Sequence, residues 1–273
     1  MLEIERYGPV EALHMGKPLL VVGRPMMTVR CYAVDGLLVD SGLHHHRRAV
    51  LDFARAWGAG RVALTHHHQD HSNNAENLRV EGLEVLASPQ TRAILTEGFR
   101  THFYDRWVWG DARRTRAAPL GPVIETERHR FEVLPAPGHC VDQVVFYERR
   151  EGWLFSGDAF LATRIKYFRR DEDFAATVET TRRLAALEVS ALFCAHRPRI
   201  DGAASAMRQK LDFLVTLEQR VRHLHASGWP DTAIARELIG ADPLWLRLMT
   251  LGDASAVNVV RSILHGPTPR RPR

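Results

Sequence analysis

The sequence has few cysteines, no long hydrophobic run and no apolar leader segment. Its three cysteines, Cys31, Cys140 and Cys194, are too sparse for a disulfide framework. No apolar stretch approaches membrane-spanning length, and the first ten residues carry charges where a signal peptide would have an apolar core. These absences predict a cytoplasmic protein with no membrane partner.

The chain has an ordinary globular composition, with 273 residues, 45% hydrophobic and 25% charged. This length fits one large domain, or one domain and a smaller one. The net charge of +5 favours an anionic small-molecule substrate, with nucleic acid as a weaker alternative. Its arginines are not clustered, which is more typical of a solvated surface.

The densest group of metal-binding residue types is the run from His66 to His71, with the spacing His-x-His-x-Asp-His. Imidazole and carboxylate groups bind zinc, iron or manganese at neutral pH. A short apolar run ending at Thr65 predicts a buried strand before the group, and Ser72 is expected to cap a helix after it. These ligand-type residues would then lie on a tight loop at the carboxyl end of a strand.

Three further residues of these types, His139, Asp158 and His196, each follow a short apolar run. Loops that follow strands in this way meet at one edge of a sheet, so we expect all three near the His66–His71 loop. A histidine-rich loop that binds no metal is the simpler alternative.

These segments resemble the metallo-β-lactamase superfamily in order and spacing over roughly residues 19–200. The resemblance is carried by His66-x-His68-x-Asp70-His71, Gly138-His139, Ser156-Gly157-Asp158 and Ala195-His196. It implies an αββα sandwich, whereas periodicity alone predicts only mixed α and β structure.

The resemblance also implies two metal sites that share a ligand. The first would be held by His66, His68 and His139, the second by Asp70, His71 and His196, with Asp158 bridging both. The expected cofactors are two divalent transition-metal ions, zinc first and iron or manganese as alternatives. His67 would occupy a non-ligand position.

Two metals held about 3.5–4 Å apart share a water whose pKa falls towards ~7, so that hydroxide attacks at neutral pH. Asp70 and Asp158 are the candidate catalytic residues, because Asp70 would orient the nucleophile and Asp158 would set the metal spacing. An aspartate at the bridging position looks like the glyoxalase II, lactonase and nuclease branches. The leading hypothesis is therefore hydrolysis of an ester, thioester or lactone, and the alternatives are phosphodiester hydrolysis of nucleic acid and oxidation of a sulfur compound at one iron.

Asp40 ends a strand that follows an Asp35-Gly36 hairpin turn. By resemblance it lies beneath the metals and orients a ligand, with a plain turn aspartate as the alternative. Residues 99–118 mix aromatic and basic side chains without a period, which suits a lid or pocket wall or a plain surface loop. Tyr104, Arg106 and Trp107 are its candidate substrate contacts.

The chain is expected to divide into a catalytic domain (1–200), a small helical, winged-helix-like appendage (201–265) and a disordered tail (266–273). An apolar stripe after residue 201 predicts a helix packed on a core, and DNA binding by the later helices is the weaker alternative. A homodimer is an open alternative for the oligomeric state.

Two segments depart from the family pattern. Asn73-Asn74 stands where many members have Gly-Gly, and Arg197-Pro198 follows His196 where many have glycine. Both segments are expected to line the cleft. His44-His45-His46 is expected in a loop or a first helical turn outside the metal site.

Overall fold

The computed structural model describes residues 1–17 and 27–268, which form two compact units. The first unit contains Met1–Pro135, Asp142–Leu161 and Val189–Asp201; the second contains Ala136–Val141, Ala162–Glu188 and the chain from Gly202 onward. The first part of the span that carries the family resemblance, residues 19–26, and residues 269–273 of the predicted tail lie outside the described residues.

The first unit begins with a seven-stranded sheet whose strands follow chain order. They are β1 (Leu2–Tyr7), β2 (Val10–Met15), β3 (Val29–Val34), β4 (Leu37–Val39), β5 (Arg61–Ala63), β6 (Glu84–Ala87) and β7 (Ala118–Pro119). The first four pair antiparallel, and β4 to β7 pair parallel. Because parallel strands end at the same edge, the segments after β4, β5 and β6 emerge side by side.

Within residues 1–17 and 27–135, five α-helices and a short 3-10 helix (His44–His46) accompany this sheet. The α-helices are α1 (Arg47–Ala56), α2 (Gln69–Ser72), α3 (Ala75–Val80), α4 (Pro89–Glu97) and α5 (Phe103–Trp109). Alternate residues of β3 serve two cores, since Cys31 and Ala33 pack with Phe53 of α1 whereas Tyr32 and Val34 pack on the other face. This is the period of two that a strand buried on both faces requires.

A second sheet of the same unit packs against that other face. Its strands are β8 (Val123–Glu125), β9 (Arg130–Pro135), β10 (Val144–Glu148), β11 (Trp153–Gly157) and β13 (Ala191–Cys194), in the order β13-β11-β10-β9-β8. The core between the sheets includes Tyr32, Phe131, Phe155 and Phe193. The predicted two-sheet α/β sandwich is confirmed.

The second unit is mainly helical. It contains β12 (Phe168–Arg169), α6 (Phe174–Ala185), α7 (Ala203–Ala226), α8 (Asp231–Leu238), α9 (Leu244–Thr250), β14 (Ala254–Ser255) and α10 (Ala256–His265). Its core joins residues of α6, α7, α8 and α10, and β12 pairs antiparallel with β14. The predicted C-terminal helical region is confirmed.

The division into units differs from a single boundary at residue 200. Residues 162–188 group with the C-terminal helices because Phe174 and Val178 of α6 share an apolar core with Leu214 and Val259. Among the described residues, no helix is both long and apolar enough to cross a membrane.

Local signals in the sequence account for several element boundaries. Asp35 and Gly36 adopt φ of 47° and 75° between β3 and β4, as the hairpin prediction requires. Ser88 caps α4, with Pro89 in its first turn. The prediction for Ser72 was wrong, because this residue ends α2 and its hydroxyl donates to the carbonyl oxygens of His67 and His68.

Candidate metal centre

Four predicted ligands of the first unit come together at the sheet edge. Asp70 and His71 lie in α2 after β5, Asp158 directly follows β11, and His196 follows β13. His71 Nε2 lies 3.6 Å from Asp70 Oδ2 and 3.4 Å from Asp158 Oδ1, and His196 Nε2 lies 3.5 Å from each of the same two oxygen atoms. Two nitrogen and two oxygen atoms thus face one point.

These separations fit a tetrahedral metal ion. Zinc–nitrogen and zinc–oxygen bonds of about 2.0–2.2 Å place the ligand atoms of a regular tetrahedron about 3.3–3.6 Å apart. The four ligand atoms lie within 4.8 Å of one another. His71 Nε2 is buried and makes no hydrogen bond to any residue within 1–17 or 27–268, so a cation would satisfy an orphaned atom.

The electrostatics of the cluster favour a positive charge. Burial alone would lower the pKa of His71, but the carboxylates of Asp70, Asp40 and Asp158 outweigh it and raise this pKa well above its usual value. Burial alone would raise the pKa of Asp158, but the imidazoles of His196 and His71 hold it well below its usual value. Protons and metal ions compete for such nitrogen atoms, so the same carboxylates that attract protons would stabilise a bound cation.

Asp40 lies directly behind the cluster, at the end of β4. Its Oδ2 accepts a hydrogen bond of 2.7 Å from His71 Nδ1, and its Oδ1 accepts one of 2.8 Å from the Thr65 amide. A carboxylate only accepts hydrogen bonds, so His71 Nδ1 carries a proton, and Nε2 is the nitrogen atom that faces the cluster and would bind a metal. The Asp40 backbone has φ of 62°, an uncommon conformation for a residue other than glycine.

Thr65 extends this support to His66, although no sequence pattern marks this threonine as a partner of the ligands. Its Oγ1 donates to both Asp40 oxygen atoms at 3.0 Å and lies 3.0 Å from His66 Nδ1. With its proton given to Asp40, the hydroxyl accepts from His66 Nδ1, so Nε2 is the nitrogen atom through which His66 would bind a metal. His66 Nε2 faces His68 Nδ1 at 3.0 Å, so two ring nitrogens of the predicted first site point at each other.

His139 belongs to the second unit, on Ala136–Val141. Its Nδ1 lies 3.2 Å from Glu172 Oε2, which gives this imidazole a carboxylate partner of the kind that orients metal-binding histidines. No pattern in the sequence marks Glu172 as the partner of His139. The membership of His139 in the first metal site stays a prediction.

His67 turns away from the candidate ligand atoms of its own loop. Its Nδ1 lies 2.8 Å from Asp142 Oδ1, and its amide donates to Asp142 Oδ2 at 2.9 Å. Asp142 is buried and also accepts from the Thr91 hydroxyl at 2.8 Å, so it ties the loop to α4. No motif in the sequence predicts that Asp142, two residues after Cys140, anchors this loop.

The asparagines expected to line the cleft are buried. The Asn74 amide donates to the carbonyl oxygens of Ser41 (2.8 Å) and Leu43 (3.0 Å), and the Asn73 amide donates to Trp109 O at 3.2 Å. The two side chains therefore brace neighbouring loops where glycines would leave space, and the expectation for Asn73-Asn74 was wrong.

Residues 99–118 form α5 and flanking loops. Tyr104 is only 5% exposed and stacks on the His102 ring at 5.2 Å, whereas Trp107 is 51% exposed beneath the Lys17 ammonium. Arg106 is exposed and pairs with Asp111. Of the three candidate substrate contacts, Arg106 and Trp107 are thus accessible and Tyr104 is a packing residue.

Comparison with curated proteins finds hydroxyacylglutathione hydrolases among the relatives. The protein of Methylobacillus flagellatus is 30% identical over 129 residues, which are 45% of this chain and 42% of that protein. The protein of Pseudomonas putida is 28% identical over 147 residues, 51% of this chain and 48% of that protein. The chain therefore spans less than half the length of these two relatives.

Solved structures with the same fold are more distant in sequence. A metallo-beta-lactamase family protein from Thermus thermophilus has a TM-score of 0.65 at 19% identity, covering 94% of this chain and 92% of its own. A beta-lactamase domain protein from Burkholderia ambifaria has a TM-score of 0.70 at 16% identity, covering 96% of this chain and 87% of its own. At such identity the likeness shows the fold alone.

The family assignment rests on a longer match that contains all the predicted metal ligands. Residues 28–196, more than half of the chain, match the model of the Metallo-beta-lactamase superfamily, and they include every ligand predicted above. The chain belongs to the metallo-beta-lactamase superfamily.

Proposed function

We propose that this protein is a binuclear metal-dependent hydrolase that cleaves acyl thioesters, with zinc as the first candidate metal. Superfamily members are generally hydrolytic. The observation that carries the binuclear part is the convergence of Asp70, His71, Asp158 and His196, with neighbouring ligand atoms 3.4–3.6 Å apart. An enzyme that oxidises a sulfur compound at a single iron would not need this second group of ligands.

The thioester assignment is supported by the hydroxyacylglutathione hydrolases among the relatives, whose named substrate is an acyl derivative of a thiol. Esters and lactones share the acyl carbon that such an enzyme attacks, so they remain the nearest alternatives. Phosphodiester hydrolysis is the more distant one.

Each candidate ligand and each residue that supports a ligand has its own role in the proposed hydrolysis. Two bound cations would supply Lewis acidity and lower the pKa of water towards neutrality. Asp158, between His71 and His196, would bridge the two sites, and Asp70 would hold the second ion and orient the attacking group. Asp40 and Thr65 keep His71 and His66 in the tautomers that bind metal.

A substrate panel tests this proposal. Zinc-loaded protein should show its highest kcat/KM on an acyl thioester, a lower value on a lactone or ester, and little turnover of a phosphodiester. Asp158→Ala should abolish activity on all of them, which excludes a contaminating esterase. Turnover confined to the phosphodiester would overturn the thioester assignment.

A further inference from the structure

Strand β3 and the residue before it hold the loop that carries His196. The Tyr32 hydroxyl donates to the carbonyl of Cys194 at 2.5 Å, and the Arg30 amide donates to the next carbonyl, that of Ala195, at 2.7 Å. His196 Nδ1 lies 2.5 Å from the carbonyl oxygen of Thr28, to which it must donate. The ring is thereby held with Nε2 towards Asp70 and Asp158.

The Arg30 side chain makes a further contact to the same loop. Its Nη1 donates to the carbonyl oxygen of His196 at 2.8 Å. On its other side, Nε and Nη2 donate to the two carboxylate oxygens of Glu5, at 2.6 and 2.8 Å. A bidentate pair of this kind fixes the plane of the guanidinium as well as its position.

Glu5 is itself fixed within the β1–β2 hairpin. The Tyr7 hydroxyl donates to its Oε2 at 2.6 Å, and His14 Nδ1 lies 2.9 Å from its Oε1. Arg30 is 8% exposed, so its charge is largely removed from water and depends on this carboxylate. The hairpin, the guanidinium and the His196 loop therefore form one connected network.

We propose that Arg30 is a positioning residue for His196, and that Glu5 sets the orientation of Arg30, so that the N-terminal hairpin tunes metal affinity at the Asp70–His71–Asp158–His196 cluster. This inference rests on the proposed function, which makes His196 a metal ligand. Neither Arg30 nor Glu5 contacts the candidate ligand atoms. Their effect is on the loop, so their loss should weaken metal binding without abolishing it.

Zinc titration against a chromophoric chelator tests the inference on the full chain. His196→Ala identifies which binding step belongs to the cluster. Arg30→Ala should weaken that step by about tenfold to a hundredfold and leave the other step unchanged, as removal of a ligand's partner does. Arg30→Lys keeps the charge but loses the bidentate fork, so it should restore only part of the affinity.

Two further variants separate positioning from folding. Glu5→Gln lies on a partly exposed side chain and keeps its shape, so it should fold and weaken the same step by a smaller factor. Arg6→Ala is the matched control, because Arg6 pairs with Glu11 in the same hairpin at 2.8 Å with its side chain 77% exposed. It should leave both binding steps unchanged.

The outcomes distinguish this inference from the proposed function. If Arg30→Ala and Glu5→Gln bind zinc as the wild type does, while His196→Ala loses one step, Arg30 does not position His196 and the proposed function stands. Equal weakening of both steps would also overturn the inference, since that is general destabilisation. If His196→Ala loses no step, His196 is not a ligand and both proposals fall.

Discussion

Thr65 is the residue on which the support of the metal centre converges. Its hydroxyl links Asp40 to His66, and its backbone carbonyl accepts from the Val144 amide at 2.9 Å. Gly157 packs against it from β11. A Cβ at position 157 would lie 2.8 Å from Thr65 Oγ1 and 2.9 Å from its Cβ, and the backbone there has φ of 48°. Both facts require glycine directly before Asp158.

Gly157→Ala should therefore destabilise the fold by about 1–3 kcal/mol and weaken metal binding, because Thr65 must move away from His66. Urea unfolding and zinc titration measure the two effects. Gly58→Ala is the matched control, since Gly58 has φ of 55° and a Cβ there would meet nothing within 4 Å. It should lose stability from backbone strain alone, so equal zinc affinity in the two variants would refute the role given to Thr65.

A second comparison separates ligand from anchor within the His66–His71 region. Asp158→Ala should lose the bridge, weaken both metal sites and reduce kcat steeply. His67→Ala should keep the metal content and lose mainly stability, because its partner Asp142 is a buried carboxylate left with one contact fewer. Elemental analysis of bound metal and kcat, measured for both variants, show which of the two residues is a metal ligand. Equal losses of metal in both would show that the ligand assignment within this loop is wrong.

At the scale of elements, strand-to-loop transitions were predictable and the supporting side chains were not. The apolar run before Thr65, the Asp35-Gly36 turn and the Ser88-Pro89 cap each carry a local signal that the structure follows. Asp142, Glu172 and Arg30 act through partners far away in sequence, so no local pattern marks them.

The β1–β2 hairpin was missed although its signal is present. Leu2 and Ile4 alternate with Glu3 and Glu5, and a Gly8-Pro9 turn follows. The charged residues in this alternation obscured the strand. One of them, Glu5, is the carboxylate that holds Arg30.

The hairpin should give the protein a pH-dependent share of its stability. Burial raises the pKa of Glu5, but hydrogen bonds from Arg30 and Tyr7 and the charge of Arg30 outweigh it and lower this pKa from 4.5 to about 2. A carboxyl whose pKa is lower in the folded state stabilises the fold above its usual pKa, and that contribution is lost as the pH falls through about 2.

Glu5→Gln should thus cost about 1–2 kcal/mol of unfolding free energy at neutral pH, after allowance for solvent screening. The difference from the wild type should narrow as the pH falls below 4.5. Urea unfolding across this range measures it. A difference that stays constant with pH would show that the glutamate acts through packing and not through its charge.

Residues 99–118 were expected to be a lid or pocket wall, and their helix α5 divides into exposed and buried aromatics. Trp107→Ala should raise KM for the true substrate and leave kcat and metal content nearly unchanged, because an exposed ring can contact substrate and transition state equally. Trp109→Ala is the contrast, since Trp109 is 5% exposed and should cost stability. If Trp107→Ala lowers only the unfolding temperature, the segment is a surface loop and the lid hypothesis fails.

At the scale of the whole molecule, the order of the motifs along the sequence predicted the fold better than the amino-acid composition did. Three segments of the first unit, residues 66–71, Asp158 and His196, bring ligand-type side chains to one edge of its two sheets, and the order of the motifs along the sequence indicated the fold. The compact units could not be predicted in the same way. The apolar face of α6 gives no sign of its partner, and only the packed core shows that it belongs with the C-terminal helices. Cytoplasmic location and oligomeric state stay predictions.

Metal content per chain tests the binuclear proposal most directly. Protein purified without chelator, supplied with zinc and freed of unbound ions should contain two ions per chain by elemental analysis. Asp158→Ala should contain fewer. A wild-type protein that consistently holds one ion or none under these conditions would contradict the proposal that Asp70, His71, Asp158 and His196 complete a second metal site.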